Sequence, residues 1–207
     1  LRDGDFAEMA AAGVRHAKYG FGGYRDPRDG VGEIRAAQRH GLTVMSHSGG
    51  TSIPGSSPIS HETLLHLRPD VCGHVNGGTT SLDDAGLGRL IRESDMALQI
   101  VQAGNLRSAL HLLALVREAN ALDRVCLASD TPTGTGVIPM GVLKTVCELA
   151  SLGGLAPEVA IALATGNNRR AFRLATGTLA VGEPADLVVC DAPAGSLAAD
   201  AFGAIAR

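Results

Sequence analysis

No apolar run in these 207 residues approaches the ~20 that a membrane-spanning helix requires, and no signal-peptide pattern stands at the start. A cytoplasmic protein with no membrane association is therefore expected. Charge of either sign is scarce. Charged residues make up 19% of the chain and the formal net charge is −3, which gives no basis for a nucleic-acid or anionic-membrane partner. The four cysteines, Cys72, Cys126, Cys147 and Cys190, form no CxxC pair. Free thiols in a reducing compartment are expected rather than disulfides or a zinc knot. Neither GxxxxGK[ST] nor GxGxxG occurs, so Gly134-x-Gly136 before Pro139 is no phosphate cradle. Low-complexity segments and sequence repeats are absent too. Hydrophobic residues make up 45%, which describes a folded chain large enough for one domain or part of a larger one.

What is present is an alternation. Short β-favouring runs at 14–20, 42–47, 70–75, 95–102 and 124–130 are expected strands. They are separated by helix-like stretches at 3–13, about 28–40, 61–67, 82–93 and 106–120. Gly13 and Gly41 stand where helices stop, and Pro69 breaks the 61–67 helix. Further helices are expected over about 139–152, 157–164 and 167–174. Strands alternating with helices argue for a parallel α/β arrangement. The end departs from this rhythm. TLAV (178–181) and ADLVVCD (185–191), split by Gly182-Glu183-Pro184, read as a hairpin outside the α/β unit.

The chemistry gathers at the strand ends. The stretch LTVMSHSGGTSIPGSS (42–57) runs into His47 and then into a Gly/Ser-rich loop. The other strands end near Lys18 (before the glycine-rich FGGY), His74, Gln102 and Asp130. In a barrel of parallel strands such side chains converge on one face, however far apart in sequence they lie. Two neutral imidazoles and a carboxylate suit zinc, iron or manganese. The alternative is structural: satisfied histidines near a core edge, with Lys18 and Asp130 as an ordinary ion pair. His16, two residues before Lys18 on the same strand face, is a weaker candidate for the site. His61, His66 and His111 fall in helices as surface residues.

The order Lys, His, His, Asp at successive strand ends resembles the amidohydrolase superfamily of (β/α)8 metallohydrolases. So does ATGNNRRAFRL…GTLAVGEPADLVVCD, which is similar to that superfamily's closing helix and its return into a small β-sandwich. The resemblance implies an α/β fold comprising strands 4–8 of a TIM-like barrel over 1–175, and a partial β-sandwich over 176–207. It implies two divalent metal ions, zinc and/or iron, held by Lys18, His47, His74 and Asp130. Lys18 would serve as a CO2-derived carbamate bridging both ions, and Asp130 as the catalytic proton carrier. Within the superfamily, HSGGTSIPGSS, DVCGHVNGG and SDTPTGTGVIP resemble the enamidases, whose known pattern carries Glu where this chain aligns Lys18.

On that resemblance the substrate is a small cyclic amide of the tetrahydronicotinate type, opened by C–N hydrolysis. Gly49, Gly50, Thr51, Asn76 and Thr131 would orient it, and the 131–138 loop would be a flexible active-site loop. An imidazolonepropionase-, dihydroorotase- or deaminase-like activity is the alternative, followed by a non-catalytic scaffold. The superfamily's HxH pair from strand 1 occurs nowhere in the sequence, and the chain starts with Leu1. A fragment inactive on its own is therefore expected, and a homo-oligomer for the full-length form.

Overall fold

A computed structural model of the chain describes residues 1–51, 53–132 and 136–206. The β-favouring runs form β1 (His16–Tyr19), β2 (Thr43–Ser46), β3 (Val71–Cys72), β4 (Ala97–Val101) and β5 (Val125–Ala128). All pair in parallel and in chain order, β1-β2-β3-β4-β5. Parallel neighbours need a crossover, which α2 (Val31–Arg39), α3 (His61–Leu67), α4 (Asp84–Glu93) and α5 (Leu106–Glu118) supply; α1 (Asp3–Ala11) precedes β1. An order without reversal lacks the switch point of a doubly wound sheet and is that of a (β/α) barrel.

Local signals explain where these helices begin. Ser60, Asp83 and Asn105 each accept a hydrogen bond from the backbone N–H three residues on, so α3, α4 and α5 start on capped ends. Along α5, Ala109, Leu112, Leu113 and Val116 recur at helical spacing and are buried. They meet β4 and β5, whose Leu98, Ile100, Val125 and Leu127 lie in the same core. A second cluster joins Phe6, Ile34, Ala37, Leu42 and Val44 beneath α1 and α2. β4 is buried almost throughout, as expected of a parallel strand covered on both faces.

Two sequence expectations change in the fold, and one element went unread. The strand expected over 70–75 pairs only at Val71–Cys72, because His74 adopts φ +40 and its N–H donates to the Gln99 side chain (3.2 Å) rather than to a strand. Residues 178–181 and 185–191, expected as a hairpin, carry no strand, and Val181 and Val189 are fully exposed. An isolated two-stranded hairpin is marginal in water, and among the described residues no second sheet stands beside this one. The chain instead ends in a short helix that sequence reading missed, α9 (Ala201–Ile205), started by the Asp200 side chain.

After β5 come α6 (Gly141–Ser151), α7 (Pro157–Ala164) and α8 (Gly166–Phe172). Asn168 of α8 accepts from Leu127 N–H (3.2 Å) and donates to Leu127 C=O (2.9 Å), taking the place of a strand neighbour at the β5 edge. The four cysteines are free, with Cys72 and Cys126 buried.

Candidate active site

The carboxyl ends of β1, β2 and β3 bring three side chains together. Lys18 is the third residue of β1, His47 directly follows β2 and His74 lies two residues beyond β3. His47 N–H donates to Tyr19 C=O (2.7 Å), which continues the β1–β2 ladder and fixes the ring beside Lys18. Lys18 Nζ stands 3.4 Å from His74 Nε2, and His47 Nδ1 stands 3.1 Å from the same nitrogen. The two rings are 4.7 Å apart between centroids. Asp130, two residues beyond β5 at φ +58, is half-buried and acts electrostatically on both Lys18 and His47. Sequence reasoning placed these four at one end of the sheet. Three are in contact, and the fourth is within charge range.

The surroundings make the histidines poor bases towards solvent protons. Burial pushes His74 down to about 3, with the Lys18 and His47 charges adding to it. Burial also lowers His47, against the pull of the Gly50 carbonyl. Lys18 keeps surface open to the cleft, yet the protein around its amine strips enough solvation to lower its pKa, with Asp130 opposing. His47 Nε2 lies 2.8 Å from Gly50 C=O, so that nitrogen carries the proton and Nδ1 turns its lone pair towards His74. Among the described residues, no three His, Cys, Asp or Glu side chains gather as a metal site. The two histidines and Lys18 form the gathered part.

The residues expected to orient a ligand fall into two groups. Gly49, at φ +91, pairs with Ile59, and a Cβ there would stand 1.7 Å from Thr80 C=O. Gly50 donates to Thr80 C=O (2.8 Å) while its own C=O takes His47. Asn76 is spent on the scaffold, because its amide accepts from Val101 N–H (2.8 Å) and donates to Val101 C=O (3.0 Å), stitching β3 to β4. The Gly49 and Gly50 backbone and the Asn76 amide are thus hydrogen-bonded within the scaffold. Thr51 is exposed and Thr131 half-buried, and among the described residues their hydroxyls engage Ser56 C=O and Ser129 Oγ. Ser52 and residues 133–135 of the expected active-site loop lie outside the described residues.

His16 is not in the cleft. It sits at the start of β1 and bonds Phe172 C=O (2.7 Å). Sequence reading missed two residues. Gln99 accepts the His74 N–H from within β4. Phe21 packs on His47 with centroids 5.1 Å apart and covers Lys18 Nζ at 5.7 Å. The available signal for Phe21 was a bulky aromatic amid glycines directly after a strand that ends in chemistry.

A family model for the amidohydrolase family matches residues 8–205. The chain belongs to the amidohydrolase family. An amidohydrolase relative from Eubacterium barkeri, an enamidase, is 42% identical over 207 residues, covering 100% of this chain and 54% of its own length. A crystal structure of enamidase, described as a new member of the amidohydrolase superfamily, superposes with a TM-score of 0.94 at 42% identity, over 100% of this chain and 54% of that one. The chain thus spans about half the length of the relatives it matches, and its parallel sheet is a section of their barrel. No helix among the described residues is long and apolar enough to cross a membrane.

Proposed function

We propose that the enzyme containing this chain is a metal-dependent hydrolase that opens a cyclic amide at its C–N bond, as in enamidase-type opening of a tetrahydronicotinate-like lactam. The observation that supports this most is the convergence of Lys18 Nζ, His47 Nδ1 and His74 Nε2 at the ends of adjacent parallel strands. Likeness to an enamidase along the whole chain supports the substrate class.

The donor set fits a divalent ion, zinc or iron. His47 gives one ring nitrogen to a backbone carbonyl and keeps the other for the cleft, the arrangement that orients metal-ligating histidines. His74 stays neutral far below pH 7, so its lone pair is available. His47 Nδ1 and His74 Nε2 approach each other to 3.1 Å, close enough for one cation to draw a lone pair from each. Lys18, its amine partly desolvated, would react with CO2 with release of a proton, and the resulting anionic carbamate would join His47 and His74 in holding the metal. Bound there, divalent metal supplies Lewis acidity and lowers the pKa of a water from ~15.7 towards ~7. Asp130 takes the proton of the attacking water and returns it to the departing ring nitrogen. The released enamine tautomerises to an imine, which hydrolyses to an aldehyde and ammonia. On this reading 176–207 belong to a small β-sandwich, which would cover the apolar side chains exposed there.

The test is Asp130→Asn in the intact enzyme, reading kcat, KM and metal content together. Asn keeps the shape and one oxygen but has no basic site near neutral pH. We expect kcat to fall by ~10²–10⁴-fold with metal retained and KM little changed. A fall smaller than about tenfold with full metal occupancy removes Asp130 as proton carrier. A panel of unsaturated lactam, imidazolone and dihydropyrimidine rings checks the substrate class through loss of ring absorbance, with ammonia expected from the unsaturated lactam alone.

A further inference from the structure

We propose that Phe21 is a specificity-determining residue whose ring receives the flat face of an unsaturated ring substrate beside Lys18 and His47. This deepens the proposed activity and rests on it.

Phe21 follows β1 at φ +76. For a bulky residue that conformation costs on the order of 1–3 kcal/mol and persists only where the surroundings impose it. Both flanks do so. Gly20, at φ +113, passes so close to β2 that a Cβ there would stand 2.6 Å from His47 Cβ. Gly22, at φ +96, lies against the 53–57 turn, where its Cβ would be 3.6 Å from Gly55 C=O. Gly20 is held tightly against His47 and Gly22 rests in ordinary contact with the next turn, and the phenyl ring between them packs on the His47 imidazole.

The ring belongs to neither core cluster. It contacts His47 on one side, with planes tilted by 42°, and remains 41% exposed. An apolar ring left open on a strained backbone next to three converging nitrogens is poor design for stability and suits ligand contact. Together with Lys18, Tyr24, Glu33 and Ile59 it lines a partly open cleft of about 160 Å³, which His47 flanks through its contact with the Phe21 ring. An aromatic platform discriminates by shape. The C=C–N–C=O portion of a tetrahydronicotinate-type ring is flat and can stack, whereas a fully saturated lactam is puckered along its whole carbon edge and its out-of-plane hydrogens hold it off.

The test compares binding of 2-pyridone, a flat ring amide that resists hydrolysis, with 2-piperidone, its saturated counterpart, by saturation-transfer titration of the intact metal-loaded enzyme. Wild type is expected to bind 2-pyridone about three- to tenfold tighter. Phe21→Leu should lose that preference and Phe21→Tyr should keep it. Phe21→Gly relaxes the backbone and should lose the preference without lowering the melting temperature, which separates the ring from the fold. A preference unchanged in Phe21→Leu overturns the proposal, as does a wild type with no preference or no measurable binding of either ring. Turnover is scored separately. An enzyme with the Phe21-dependent preference that opens no unsaturated lactam refutes the activity and leaves the platform. One that opens the lactam without that preference refutes the platform alone.

Discussion

Leu42-Thr43-Val44-Met45 and Leu187-Val188-Val189-Cys190 are near equals as sequences, each four residues of β-favouring, largely apolar character. Their fates are opposite. Leu42 and Val44 are 0% and 2% exposed, and the run continues as β2 between β1 and β3. Val188 and Val189 are 87% and 97% exposed, and no strand forms around them. Strand propensity is conditional: it reports fitness for a pleated, covered surface. Where neighbours exist on both edges and helices on both faces, the run is realised. Where no neighbour stands, hydrogen bonds to water serve as well.

The comparison can be broken most sharply by charge. Val44→Asp puts a carboxyl into the cluster with Phe6 and Ile34 and should cost at least about 4 kcal/mol by denaturant unfolding. Val189→Asp should cost within about 0.5 kcal/mol in the arrangement described here. A large penalty at Val189 in the intact enzyme would mean that the proposed β-sandwich covers it.

A smaller effect is expected at the β5 edge, where a side chain replaces a strand. Asn168→Ala leaves the Leu127 N–H and C=O without their partner, at about 1–3 kcal/mol. Faster amide exchange at Leu127 would be the local sign.

An effect of pH sharpens the covered side of the comparison. Burial raises Tyr19 from 10.0 to about 12, and its hydroxyl donates to Pro27 C=O (2.5 Å). Because the folded state holds that proton more tightly than the unfolded one, its contribution is fully present below about pH 10 and is lost as pH rises to about 12. Cys72 and Cys126, raised from 9.0 to about 12, add a loss that begins near pH 9. Melting temperatures across this range should fall, and less steeply between pH 10 and 12 in Tyr19→Phe.

The candidate site was legible in part. Lys18, His47, His74 and Asp130 were visible because each stands where an apolar run stops, and parallel strands bring such stops to one end. Asn76 was misread. Its place after His74 suggested the cleft, yet the Val101 backbone, 25 residues away, takes its amide. Phe21 was passed over because a lone aromatic between glycines carries no periodicity.

The sequence by itself determined the alternation of strands and helices, the caps at Ser60, Asp83 and Asn105, and the rank of groups at the strand ends. These depend on residues within a few positions of one another, where steric and hydrogen-bond preferences act directly. Only the tertiary structure decided which nitrogens of His47 and His74 face each other, that Asn168 closes the edge of β5, and that the 185–191 run stays open. Those outcomes are set by partners tens of residues away. Their geometry follows from how the sheet stacks its neighbours, and no local pattern encodes it.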